Sequence, residues 1–212
     1  MFNRNVQTGT GSVSTPSNTS TRVPASSEGL LDLKKDDILD LSKCSDTLER
    51  VHVAAGWDVV ADGGKDYDLD LCAYLLDGRG SVRDTVFYGD KKAKGIFLDK
   101  DNLTGEGDGD DENIHVRLSQ LSPDIVKVVF AVVIYEAKSK RQVFGKVRNA
   151  YVRLCDEDNG DKEICRYMLS EDGGDNTAVR VAELNRTAEN TWEFHALGIY
   201  SKDSIPSLKK KF

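Results

Sequence analysis

From about residue 29 onward, β-branched and aromatic residues recur in short runs separated by clusters of Gly, Asp, Asn and Ser. This is the pattern of short strands joined by tight turns. The runs predict strands over residues 38–41, 48–55, 69–76, 85–88, 113–118, 126–135, 149–155, 163–169, 178–186 and 192–200. Residues 126–135 (VKVVFAVVIY) are apolar at odd and even positions alike, as a central strand covered on both faces would be. Residues 191–197 (TWEFHAL) alternate instead, with Trp192, Phe194 and Ala196 on one face and Glu193 and His195 on the other, so that strand has one wet face. The turns at 76–80 (LDGRG), 156–162 (DEDNGDK) and 170–175 (SEDGGD) carry ordinary hairpin residues. Residues 119–124 (SQLSPD) are enough for one helical turn, with Ser122 or Asp124 as its cap. About ten short strands without a fixed repeat or heptads predict an all-β fold, a sandwich or a barrel.

The ends of the chain read differently. Residues 1–28 are rich in Ser, Thr, Asn, Gly and Pro, with too little apolar surface to offset the entropy of ordering, and are expected to be a disordered tail. Residues 29–203 form the expected domain, and residues 204–212, ending Lys209-Lys210-Lys211-Phe212, a basic C-terminal tail.

Charge sharpens the picture because it is local. The net charge is −7. Yet residues 58–70 and 99–112 together hold 12 of the 36 acids and only 2 of the 29 bases. Outside these two windows the chain is slightly basic, so its acidity is a feature of two loops. The overall balance gives no general attraction for nucleic acid or for anionic membranes, and no nucleic-acid partner is expected. No apolar run approaches the roughly 18–20 residues of a membrane helix, and the N-terminus lacks a secretory apolar region, which predicts a cytoplasmic protein. Cys44, Cys72, Cys155 and Cys165 form no metal-ligand spacing and are expected as small reduced residues, although Cys155 and Cys165 flank a turn and face each other if that turn closes a hairpin.

In Asp66-Tyr67-Asp68-Leu69-Asp70, three carboxylates at spacing two share one face of an extended chain, where they repel one another until a cation intervenes. In the second window, 102–112 (NLTGEGDGDDE), glycines alternate with acids, which lets several oxygens converge on one point. Six to eight flexible oxygen ligands suit calcium; magnesium demands a stricter octahedron and softer metals want Cys or His. Neither the EF-hand loop nor the repeated calcium nonapeptide fits these windows.

Five strings occur in the order of one known family: Ala55-Gly56-Trp57-Asp58, Asp66 to Asp70, Thr104 to Glu112 (TGEGDGDDE), Phe144 to Tyr151 (FGKVRNAY) and Leu169-Ser170-Glu171-Asp172. On these, over residues 29–200, the chain resembles the TerD family of tellurium-resistance and calcium-stress proteins. The resemblance implies a two-sheet β-sandwich with acidic calcium-binding loops, and a role in resistance to tellurite and chemical stress without a known catalytic activity. It also implies calcium as the bound species, with two ions matching two windows, and protein partners in a stress-response complex that can be membrane-associated. By matching position, the implied metal ligands are Asp66, Asp68, Asp70, Asn102, Thr104, Glu106, Asp108, Asp110, Asp111 and Glu112, with Asp58 beside them. The Ser/Thr-rich N-terminus, the basic loop before Phe144 and the basic C-terminus depart from the family pattern.

No HExxH, GxSxG or P-loop is present, and His52, His115 and His195 fall in separate predicted strands, so the chain is not expected to be an enzyme. The alternatives are a calcium-dependent phospholipid-docking module, which would expose apolar loop tips of which Leu103 is the main one here, and a metal-dependent phosphoesterase using the loop carboxylates.

Overall fold

The computed structural model describes residues 20–24, 30–45, 47–58, 67–99, 109–169 and 173–212. The expected tail at 1–28 lies outside the described residues except for 20–24. Numbered in chain order, the strands are β1 (Thr21–Val23), β2 (Leu31–Leu33), β3 (Asp37–Asp40), β4 (Arg50–Asp58), β5 (Leu69–Asp77), β6 (Val82–Val86), β7 (Lys92–Ala93), β8 (Ile96–Leu98), β9 (Glu112–Arg117), β10 (Ile125–Ile134), β11 (Arg148–Asp156), β12 (Lys162–Met168), β13 (Ala178–Arg186) and β14 (Trp192–Ser201). They form two seven-stranded sheets in the orders β1-β3-β14-β13-β10-β5-β6 and β2-β12-β11-β4-β9-β8-β7. The fold is the expected all-β sandwich. Strand β1 joins β3, and β2 joins β12, in parallel; the other pairings are antiparallel.

Alternation along the strands builds the core between the sheets. Val51, Val53, Ala55 and Trp57 of β4 face Leu69, Leu71, Ala73 and Leu75 of β5 within one buried cluster. Strand β10 lies between β13 and β5, which accounts for its doubly apolar sequence. Val128, Phe130 and Val132 enter the central core, while Val129, Ala131 and Val133 join a second cluster on the outer face.

What covers that outer face corrects the expectation of a basic tail at 204–212. Residues Ile205–Lys209 form a short helix, α1 being the turn Ala137–Lys140 and this one α2. Ser207 Oγ accepts from the Ser204 N–H at 2.9 Å and Pro206 sits in the first turn, where a missing N–H costs nothing. Ile205 and Leu208 pack on Tyr74, Val129 and Val133, Tyr74 Oη donates to the Ile205 carbonyl at 2.9 Å, and the Phe212 ring lies 5.3 Å from that of Tyr74. The lysines between these apolar positions obscured a helical spacing of 205, 208 and 212. Likewise Thr21–Val23 is an edge strand, with Arg22 ion-paired to Glu193.

The four cysteines are free thiols. Leu154, not Cys155, lies opposite Cys165; Ile164 of β12 is the extra residue of a register shift there, and Cys155 lies opposite Glu163. Among the described residues no helix is long and apolar enough to cross a membrane.

Candidate functional site

Both acidic windows open at the same end of the sandwich. Strand β4 ends at Asp58 and β5 begins at Leu69, while β8 ends at Leu98 and β9 begins at Glu112. Antiparallel pairing of β4 with β9 sets Ala55 opposite Glu112. Of the candidate ligands, Asp58, Asp68, Asp70, Asp110, Asp111 and Glu112 are described; Asp66, Asn102, Thr104, Glu106 and Asp108 lie outside the described residues.

The second window contacts the strand residues that flank the first. Asp111 Oδ2 accepts from the Trp57 N–H at 3.0 Å, and the Asp111 N–H donates to the Ala55 carbonyl at 2.9 Å. Glu112 shares the inward face of Ile114 and Val116, and its Oε2 accepts from the Leu71 N–H of the opposite sheet at 2.6 Å. Asp111 is 3% exposed and Glu112 1%.

Asp68 and Asp70 alternate with the inward Tyr67, Leu69 and Leu71, so they share the outer face of β5 with Cys72 and Tyr74. Asp70 is 4% exposed. Tyr88 packs edge-on against Tyr135 beside them; burial pushes its hydroxyl pKa up, and the Asp70 carboxylate adds to the effect. Lys140 Nζ stands 3.9 Å from Asp68 Oδ2 and 4.9 Å from the Tyr135 ring centre.

Asp58 and Asp110 are tied to the protein instead. Asn149 Nδ2 donates to Asp58 Oδ2 at 2.5 Å. Asp110 receives Arg153 in a fork, Nε to Oδ1 at 2.8 Å and Nη2 to Oδ2 at 2.6 Å, plus the Tyr151 hydroxyl at 3.0 Å. Gly56 makes this possible: a Cβ there would stand 2.5 Å from Tyr151 Cζ, so only glycine lets the ring cross β4 to reach Asp110. Arg166 stacks over the Tyr151 ring at 4.4 Å, and Glu163 bonds both Arg153 and Arg166, whose guanidiniums hold its carboxyl below the usual range against the opposing effect of burial. Asp58, Asp110, Asn149 and Tyr151, from the strings at 55–58, 104–112 and 144–151, thus belong to one hydrogen-bonded patch among the described residues. Neither Arg153 nor Glu163 stood out in the sequence, because nothing local links them to the acidic loop.

The profile described as the TerD domain matches residues 30–212. The chain is 41% identical over 172 residues to the tellurium resistance protein TerD of an Alcaligenes species, an alignment spanning 79% of this chain and 88% of that protein. It is 40% identical over 174 residues to general stress protein 16U of Bacillus subtilis (strain 168), spanning 79% and 89% of the two chains. The crystal structure of a homologue of the telluride resistance protein TerD from Streptomyces coelicolor A3(2) matches with a TM-score of 0.66 at 26% identity, covering 76% of this chain and 95% of that one.

Proposed function

Because the chain belongs to the TerD family, we propose that it is a calcium-binding, non-catalytic stress-response protein, acting in the manner its tellurium-resistance and general-stress relatives are named for. The observation that carries this reading is the burial of three carboxylates, Asp70, Asp111 and Glu112, at 4%, 3% and 1% exposure, at the end where both acidic windows open. Carboxylates withdrawn from water are costly unless N–H groups or cations compensate them. A carboxylate has about four acceptor sites, so an N–H bond and a metal contact are compatible on one group. The donor set is wholly hard oxygen, which fits calcium.

In this proposal the ligands are drawn from Asp58, Asp66, Asp68, Asp70, Asn102, Thr104, Glu106, Asp108, Asp110, Asp111 and Glu112. Asp58 and Asp110, engaged by Asn149 and Arg153, hold the loop ends in place. Bound calcium would offset carboxylate repulsion at the two loop mouths, and two ions would match two windows. Glu112 and Asp111 would orient the loops through the Leu71 and Trp57 N–H groups. The protein would work through cytoplasmic protein partners rather than on a substrate. Calorimetric titration with calcium, with and without magnesium competition, tests the reading. About two sites preferring calcium are expected; no heat at millimolar calcium would refute it.

A further inference from the structure

On the outer face of the second sheet, register aligns a row of side chains across four strands. Phe97 of β8 lies opposite His115 of β9, His115 opposite His52 of β4, and His52 opposite Cys155 of β11. Directly opposed residues share a face. Val51, Val53, Ile114 and Val116 belong to the core, so His52 and His115 point away from it. Glu157, which opens the 3-10 turn Glu157–Asn159 after β11, reaches back over this row.

We propose that His52, His115 and Glu157 form a binding site for a divalent first-row cation of the zinc type. One ligand atom from each lies within 4.8 Å of the others, the group of this kind found among the described residues. Glu157 Oε1 is the hub, 2.5 Å from His115 Nδ1 and 3.8 Å from His52 Nδ1. In a tetrahedral zinc shell with bonds of about 2.0–2.1 Å, ligand atoms lie about 3.4 Å apart. A cation would lie between His115 Nδ1 and Glu157 Oε1 in place of their hydrogen bond, and the Glu157 side chain would open by roughly 1 Å to admit it.

His52 is the second, independent sign. It is 6% exposed, yet its Nδ1 makes no hydrogen bond among the described residues and faces Glu157 and, at 3.6 Å, Asp161 Oδ1. Burial, reinforced by repulsion from His115, holds this imidazole below its ordinary pKa, and the neutral ring is the metal-binding form. The surroundings orient the other ligands. Phe97 stacks on the His115 ring at 4.7 Å, Arg117 Nη1 stands 3.9 Å from Glu157 Oε2, and Asp99 Oδ2 lies 3.8 Å from His115 Nε2. Asp161, exposed and 3.6 Å from His52 Nδ1, is within reach to complete the shell, whereas Asp99 meets the far ring nitrogen of His115. Imidazole nitrogens select zinc-like ions over calcium. His52 precedes Asp58 by six positions in β4, about 20 Å along an extended strand. Glu112 lies three positions before His115 in β9 and so turns to the opposite face of the sheet, and the site does not depend on the calcium reading.

The test uses the untagged full-length chain in calcium-saturated buffer, titrated with zinc chloride by calorimetry and with cobalt chloride by visible absorption. One zinc per chain is expected, with a cobalt d–d band of nitrogen–oxygen coordination. His115→Gln and Glu157→Gln, both at less buried positions than His52, should each weaken zinc at least about ten-fold, a loss typical of disturbed metal sites. Asp68→Asn should not. Melting in chelator confirms that each variant folds. If calcium-loaded wild type takes up no zinc, or if folded His115→Gln and Glu157→Gln bind it as wild type does, the proposal is overturned, whatever the outcome of the calcium titration.

Discussion

Glu112 and Leu71 belong to opposite sheets, and the carboxylate of one accepts the backbone N–H of the other at 2.6 Å. Strand β6 pairs with Ala73 to Leu76, short of Leu71, so on that edge the Leu71 N–H is satisfied across the sandwich by a side chain. Removing the acceptor strands a buried donor, which costs about 1–3 kcal/mol. Glu112→Ala should therefore lower stability in urea by about that amount in the presence of chelator, whereas Glu112→Gln, which keeps an acceptor oxygen, should lose less. Equal losses in the two variants would show that the bond contributes nothing of its own.

The fork between Arg153 and Asp110 joins two partly buried side chains, 25% and 10% exposed. Asp110 raises the Arg153 pKa further above its already high value, so the guanidinium is charged at neutral pH. A double-mutant cycle of Arg153→Met and Asp110→Asn should give a coupling of about 1–2 kcal/mol after allowance for solvent screening. Additivity within about 0.3–0.5 kcal/mol would mean the fork is merely permitted by the packing.

The C-terminal helix should behave as part of the domain. Leu208 is 1% exposed against the outer face of β10. Leu208→Ala should cost about 2–4 kcal/mol in denaturant unfolding, and ending the chain at 204 should uncover Tyr74, Val129 and Val133 and increase binding of an apolar dye. A truncated protein with wild-type stability and no dye binding would contradict the packing.

Acid should loosen the same helix. Burial alone would raise the Asp203 pKa, but bonds from Lys211 and Ser207 outweigh it and hold the carboxyl below its ordinary 3.8. With the folded value depressed, the unfolded chain binds more protons as pH falls. The stabilisation is complete well above pH 3.8 and is lost as pH drops through the folded pKa. Denaturant midpoints compared at pH 6 and pH 3 should differ less in Asp203→Asn than in wild type; an unchanged difference would assign the acid sensitivity elsewhere.

The long strands were legible because their side chains announce their surroundings. The doubly apolar run at 126–135 and the alternating run at 191–197 became β10 and β14, with the expected buried faces. The two acidic windows and the family strings were equally visible, being contiguous in the chain. The edge strands β1, β2 and β7, and β8 beside β7, were not: two or three residues show no periodicity, and only the partner strand makes them extended. The C-terminal helix was hidden by its lysines, since whether Leu208 and Phe212 find an apolar surface is decided by β10, some 80 residues earlier in the chain. The histidines show the limit most clearly. His52 and His115 lie 63 positions apart, and a slip of one residue in the pairing of β4 with β9 would send one of them to the opposite face. Sequence specified which residues were available and which long strands would form; register, set by packing the whole core at once, decided which of them meet.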